Sequence, residues 1–140
     1  MGSSVLIVDY DAGNLRSVTR AVARSGATPI VTDKPEDLKG ADAVILPGVG
    51  SAADTMSKLV AKSLDEPLRE YIFSGRPFLG VCMGMQALFD FSEEGGGQKC
   101  LGIFPGTVHH FSLENFKVPH MGWNTVEWLH DHPVIEGIPN

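Results

Sequence analysis

The sequence predicts an α/β fold built on a doubly wound, mostly parallel sheet. Short apolar, β-branched runs at residues 4–10, 28–32, 43–47 and 77–82 alternate with stretches whose apolar residues recur at helical spacing. Strands that alternate with helices join in parallel through crossovers. The run 43–47 also has almost no polar residue, as a strand covered on both faces requires.

Taken in order, residues 4–10 read as a buried strand that closes in the turn Asp11-Ala12-Gly13. Leu15, Val18 and Val22 follow on one helical face, and Gly26 is placed to end that helix. Residues 28–32 and 43–47 supply the second and third strands. Ser51 stands as the N-cap of the next helix, with Asp54 three residues on as its capping-box partner. A further helix carries Leu64, Leu68, Tyr71 and Ile72 on one side, has Pro67 in its first turn and stops at Ser74-Gly75. Residues 77–82 form the fourth strand, and residues 83–91 are expected to run on as a helix. A Gly-rich acidic loop spans 92–99. Beyond it, short strands are expected around 107–111, 116–119 and 124–128, as antiparallel pieces added to the parallel core.

Composition narrows the function. At 140 residues and 43% hydrophobic, the chain can bury the core of a single domain, read as residues 1–140. Its 11 basic and 17 acidic residues leave a net charge of −6, with the basic residues scattered singly. That argues against a nucleic-acid partner, which needs clustered Lys and Arg. The run 43–47 is far too short to span a bilayer. No basic segment precedes an apolar one at the N-terminus, and Leu6 breaks the myristoylation pattern. The expectation is a cytoplasmic protein without a membrane partner. Two cysteines and no export signal make a disulfide framework improbable.

Gly80-Val81-Cys82-Met83-Gly84, between a strand and a helix, has the form of a nucleophile elbow with Cys in place of Ser. A strained turn of this kind lifts the thiol clear of the backbone, and the two glycines let neighbouring chain approach closely. The following helix N-terminus offers unpaired N–H groups and a positive dipole end, which favour thiolate. The Met83 N–H is placed as one oxyanion donor. The alternative is a buried structural cysteine.

Gly48-Val49-Gly50-Ser51-Ala52-Ala53 satisfies the weak dinucleotide pattern G-x-G-x-x-A. It follows the third strand rather than the first, and the acidic residue due about 20 positions later falls within a helix. Backbone N–H donation beside Cys82 suits this loop better, because both loops would lie at the carboxyl edge of one sheet. His109 and His110 are adjacent in a strand candidate and point to opposite faces. His130, Asp131 and His132 suggest a metal pair, yet no Cys or further carboxylate stands at ligand spacing, so no metal is expected. Cys100 reads as a packed or surface thiol.

With these residues in view, the chain resembles the class I glutamine amidotransferases. Four stretches carry the resemblance: Asp9-Tyr10-Asp11-Ala12-Gly13-Asn14-Leu15, Leu46-Pro47-Gly48-Val49-Gly50, Gly80-Val81-Cys82-Met83-Gly84-Met85-Gln86 and Lys117-Val118-Pro119-His120-Met121-Gly122-Trp123-Asn124. Within the family they are most similar to the glutaminase subunits of imidazole glycerol phosphate synthases. The resemblance implies a flavodoxin-like sheet, no cofactor, and Cys82 attacking the glutamine carboxamide to form a glutamyl thioester and release ammonia. It also implies Met83 and Val49 as oxyanion donors, and Gly48, Gly50 and Gln86 as glutamine-binding residues. A (β/α)8-barrel cyclase, as a separate subunit or a fused domain, would take up the ammonia. Tyr10, Asn14, Pro119, Met121 and Trp123 would face it; for the Trp123 segment the alternative is core packing.

One departure stands beside the match. The family carries its triad His and Glu in a Phe-His-Pro-Glu-type motif, and none of the five histidines here is followed by Pro-Glu. The expectation is a domain incomplete at its C-terminus, with core surface left uncovered and, for these 140 residues alone, very low glutaminase activity. The rival readings are a non-catalytic cyclase-binding module, a glutaminase domain of another amidotransferase, and an elbow-cysteine hydrolase. The last usually carries His directly after the nucleophile, where Met83 stands.

Overall fold

A computed structural model describes residues 3–112 and 117–138. They fall in two compact units, within Met1–His110 and Phe111–Asn140. In the first, β1 (Ser4–Val8), α1 (Leu15–Arg24), β2 (Thr28–Thr32), β3 (Ala43–Leu46), α2 (Ala52–Ala61), α3 (Asp65–Phe73) and β4 (Phe78–Gly80) succeed one another as expected, with a 3-10 turn at Pro35–Gly40. The four strands pair in parallel in the order β2-β1-β3-β4. This is the doubly wound arrangement that places the carboxyl ends of β1 and β3 side by side at the switch point.

Local chemistry sets these boundaries. The Asn14 Oδ1 accepts from the Ser17 N–H at 3.2 Å to start α1, and Gly26 takes a positive φ of 87° just past its end. The Ser51 Oγ accepts from the Asp54 N–H at 3.1 Å to start α2. Even-numbered residues of β1 and β3, namely Leu6, Val8, Val44 and Leu46, enter one core with Leu59, Leu68 and Tyr71 from the helices and Leu64 just before α3. Across the opposite face, cover thins along one row of the register. Ile7 is wholly buried, its partner Ile45 is half-buried, and Leu79 beyond it is 56% exposed.

Arg76 locks the start of β4. Its guanidinium lies 4.0 Å from the Tyr71 ring centre and donates to the carbonyls of Lys39 at 3.0 Å and Ala41 at 3.4 Å. Tyr71 in turn donates its hydroxyl to the Pro77 carbonyl at 3.1 Å.

Past Cys82 the chain departs from expectation. The helix α4 (Met83–Gln86) is a single turn, and residues 89–91, expected to be helical, open β5 (Phe89–Ser92). The alternating Phe89 and Phe91 suit a strand as well as a helix, and short apolar runs do not distinguish the two. A second sheet of order β6-β5-β7 joins β6 (Gln98–Lys99) antiparallel and β7 (Phe104–Val108) parallel to β5. The strand expected at 107–111 is therefore β7, shifted towards the N-terminus and parallel. Of the strand expected at 116–119, Phe116 lies outside the described residues. Residues 117–119 and 124–128 are irregular and exposed. Strand propensity without a paired edge does not make a strand. Among the described residues of the second unit, the one regular element is a 3-10 turn at Pro133–Ile135, which His132 caps by accepting from the Val134 N–H at 3.2 Å. Among the described residues no helix is long and apolar enough to cross a membrane.

Both tyrosines of the chain are buried, and burial is the main cause that raises each phenol above its ordinary pKa of 10.0. A phenol whose pKa is higher folded than unfolded stabilises the fold fully below the unfolded value, and that contribution is lost as pH rises through the folded one. Tyrosinate absorbance in an alkaline titration is therefore expected to appear together with loss of circular dichroism, above about pH 10. A free-phenol titration curve in still-folded protein would contradict the packing described.

Candidate active site

The loops that leave β1, β3 and β4 emerge at one edge of the sheet, where parallel sheets form their ligand sites. Cys82 stands in the third of them with φ 55° and ψ −114°. Non-glycine residues enter such backbone regions at a cost of about 1–3 kcal/mol, when their surroundings over-determine them. The surroundings here are backbone. The Val81 N–H donates to the Leu46 carbonyl at 3.0 Å, and the Gly84 N–H closes the turn on the Val81 carbonyl at 3.0 Å. The Cys82 side chain is free and exposed.

Three glycines make this approach possible. A Cβ on Gly84 would run into the Leu46 carbonyl oxygen, and one on Gly80 would lie 2.7 Å from the Gly84 carbonyl oxygen. A Cβ on Gly48 would collide with the Gly84 nitrogen and lie 2.8 Å from the Met83 carbonyl carbon. The loop after β3 and the turn at Cys82 thus touch backbone to backbone. Among the described residues, neither the Val49 nor the Met83 N–H has an acceptor. Val49 and Gly50 are exposed, Gly48 is buried against the elbow, and Gln86 is half-buried on α4. The helix-dipole argument for thiolate loses most of its force, because the four residues of α4 sum few peptide dipoles.

Tyr10 requires a correction. Expected to face a partner, it is wholly buried, and its hydroxyl donates to the Pro47 carbonyl at 2.8 Å. Its side chain has no surface to offer. Asn14 is exposed, with its side-chain oxygen engaged as the α1 cap. Pro119, Met121 and Trp123 belong to the second unit and are exposed, Met121 at 87% and Trp123 fully. Core packing as the alternative for Trp123 does not hold. Of the histidines, His109 bonds Glu93 through Nδ1 at 3.0 Å, and His110 donates its backbone N–H to the same carboxylate at 3.1 Å. The His109 bond is the main cause that holds the Glu93 carboxyl below its usual range.

The sequence model of the family described as "Glutamine amidotransferase class-I" matches residues 6–140. The chain belongs to this family. It is similar to the imidazole glycerol phosphate synthase subunit HisH of Dehalococcoides mccartyi, at 46% identity over 97% of this chain and 66% of that one. It is likewise similar to the HisH subunit of Microcystis aeruginosa, at 44% identity over 96% of this chain and 64% of that one. The chain thus spans just under two thirds of the length of these relatives. Among solved structures, a glutamine amidotransferase superposes with a TM-score of 0.65 at 23% identity, covering 76% of this chain and 56% of that one. A peptidase E protein of Listeria monocytogenes superposes at 0.62 with 13% identity, covering 74% of this chain and 64% of that one. These two likenesses speak for the fold alone.

Two features of this chain leave no local mark in the sequence that the elements above used. The Glu94 carboxylate, from the acidic loop, accepts from the Ala52 N–H at 3.0 Å and so caps α2 just behind the Gly48–Gly50 loop. Across 42 residues no local spacing announces that contact. Lys58 and Lys62 clamp the loop after β1. The Lys58 Nζ donates to the Asp11 carbonyl at 3.1 Å, and the Lys62 Nζ donates to the Asp9 carbonyl at 3.3 Å and pairs with the Asp11 carboxylate at 3.1 Å. The i,i+4 spacing of Lys58, on α2, and Lys62, just past its end, was the available signal.

Strain at Cys82 makes a stability prediction. Cys82→Gly is expected to be more stable than Cys82→Ala by about 1–2 kcal/mol in denaturant melts, since glycine relieves the positive φ. Gly84→Ala, aimed at a carbonyl oxygen, is expected to abolish cooperative folding. Equal melts for the two Cys82 variants would contradict a strained elbow.

Proposed function

We propose that this chain is the glutaminase part of an imidazole glycerol phosphate synthase, with residues 1–140 lying within one amidotransferase domain. The observation that carries the reading is the touching pair of loops, with a cysteine in a strained, exposed turn and, among the described residues, no acceptor for the Val49 or Met83 N–H of the two loops. The relatedness to HisH subunits supports the choice of substrate and partner.

In this mechanism the Cys82 sulfur, as thiolate, attacks the glutamine side-chain carbonyl carbon. The carbonyl electron pair moves to oxygen, and the N–H groups of Val49 and Met83 receive the developing charge. Collapse of the tetrahedral intermediate expels ammonia, protonated as it leaves, and forms a thioester. Water then attacks the thioester, releasing glutamate and regenerating the thiol. Gly48, Gly50 and Gln86 would hold the glutamine. The proton transfers need a base. Among the described residues no hydrogen bond joins a histidine to Cys82. Ammonia would pass to a (β/α)8-barrel cyclase; the exposed apolar side chains of Pro119, Met121 and Trp123 on the second unit suit an interface with it, and on the first unit the polar Asn14 is exposed as well.

The test is synthesis by the enzyme as the cell makes it, with its cyclase. Cys82→Ala is expected to remove glutamine-dependent product formation by about 10³-fold or more and to leave ammonia-dependent formation intact. Trp123→Ala is expected to weaken cyclase binding by about tenfold or more, as an exposed aromatic anchor does. Glutamine-dependent turnover that survives Cys82→Ala would sink the assignment. An unmodified enzyme that binds the cyclase yet never releases glutamate would point to the non-catalytic module.

A further inference from the structure

The contact between Tyr10 and Pro47 joins two loops that lie 37 residues apart in sequence. The phenol reaches from the loop after β1 to the first carbonyl of the loop after β3. A peptide unit is a rigid plane, so holding the Pro47 oxygen fixes the direction of the Gly48 N–H on its other edge. The next atom along, the Gly48 Cα, is already pressed against Met83 and Gly84. These two constraints fix where the Gly48–Val49 peptide begins, and rotation about the Gly48 Cα–C bond then sets the direction of the Val49 N–H. The loop that carries Tyr10 is itself held, through the bonds from Lys58 on α2 and Lys62 just past its end to Asp9 and Asp11. Burial keeps the phenol protonated, and thus a donor, throughout the neutral range. The Thr55 hydroxyl is buried beside the phenol.

We propose that Tyr10 is a positioning residue for the reaction at Cys82: its hydroxyl orients the Pro47–Gly48 peptide so that the loop's following N–H meets the oxyanion. This rests on the glutaminase reading. The Tyr10 hydroxyl bonds the Pro47 carbonyl and not the thiol, although phenol and thiol lie near enough to interact electrostatically; it acts through the loop.

The chain supplies its own control. Tyr71 is the other tyrosine, equally buried, and it donates to a proline carbonyl in the same way, at 3.1 Å. That bond lies at the opposite end of the sheet, just before β4. Tyr10→Phe and Tyr71→Phe each delete one buried hydroxyl, but the Pro77 carbonyl keeps the Val44 N–H at 3.0 Å, so Tyr71→Phe is expected to lower the melting temperature less than Tyr10→Phe does. Only the first should alter catalysis.

The experiment measures glutamate release by the complete enzyme with its cyclase, together with the rate at which iodoacetamide alkylates Cys82. Alkylation reads the availability of the thiolate and passes through no oxyanion. Tyr10→Phe is expected to lower kcat about tenfold, short of the 10²–10³ lost with an oxyanion donor itself, with KM and alkylation rate unchanged within about twofold. Tyr71→Phe is expected to leave all three unchanged. The proposal is overturned if Tyr10→Phe keeps its kcat, if Tyr71→Phe loses as much, or if alkylation slows in step with kcat, because the phenol would then act on the thiol. Wild-type enzyme that releases no glutamate defeats the glutaminase reading, and this inference with it. An active wild type beside an unaffected Tyr10→Phe defeats this inference alone.

Discussion

The backbone of Gly48 lies against that of Met83 and Gly84 with no side chain between them, and the geometry of the site follows from that contact. A Cβ at either glycine would need the space occupied by the other loop. Contact this close lets two loops from different strands present amide groups to one small volume, whereas intervening side chains would hold them apart. It also over-determines the turn at Cys82, which is the condition under which a non-glycine residue persists at positive φ. The core beneath makes this tolerable: Leu46, Met83, Ala87 and Leu88 are all buried within the same cluster.

Around that contact lies a second layer of restraint made of polar groups. Tyr10 holds the front of the loop after β3, Ser51 starts the helix at its back, and Glu94 reaches over from the acidic segment to the first amide of that helix. Each of these bonds satisfies a backbone group that would otherwise be left without a partner at the edge of the core. The candidate site is therefore held from several directions, and its own side chains contribute little to keeping it in place.

Much of this was legible from the residues. The β-branched run at 28–32 coincides with β2, and Ser51 with Asp54 marked the start of α2 to the residue, because strand runs and caps are local phenomena. The elbow was legible because its glycines flank a reactive residue at fixed spacing. Tyr10 was misplaced although a signal existed. Leu6, Val8 and Tyr10 share one parity and one core, but Asp9 and Asp11 on either side made the position look solvated. The helix expected over 83–91 failed for a different reason. An apolar stretch that alternates at Phe89 and Phe91 pairs as a strand once β6 and β7 are available, and their availability is not a local property. The strand expected at 124–128 is the converse case, with propensity present and no paired edge to use it.

The thin cover over Leu79 has a practical consequence for anyone handling residues 1–140. Leu79 and Val81, one residue apart on the last strand and its exit, are both substantially exposed. An apolar, unpaired strand edge is a template on which other chains add. The formal charge of −6 is the main colloidal defence against that addition. Acidification towards carboxylate pKa values removes the charge, while sulfate or phosphate salts strengthen apolar association. The shelf life of such a preparation will be governed by how its molecules meet one another, at least as much as by how firmly each is folded.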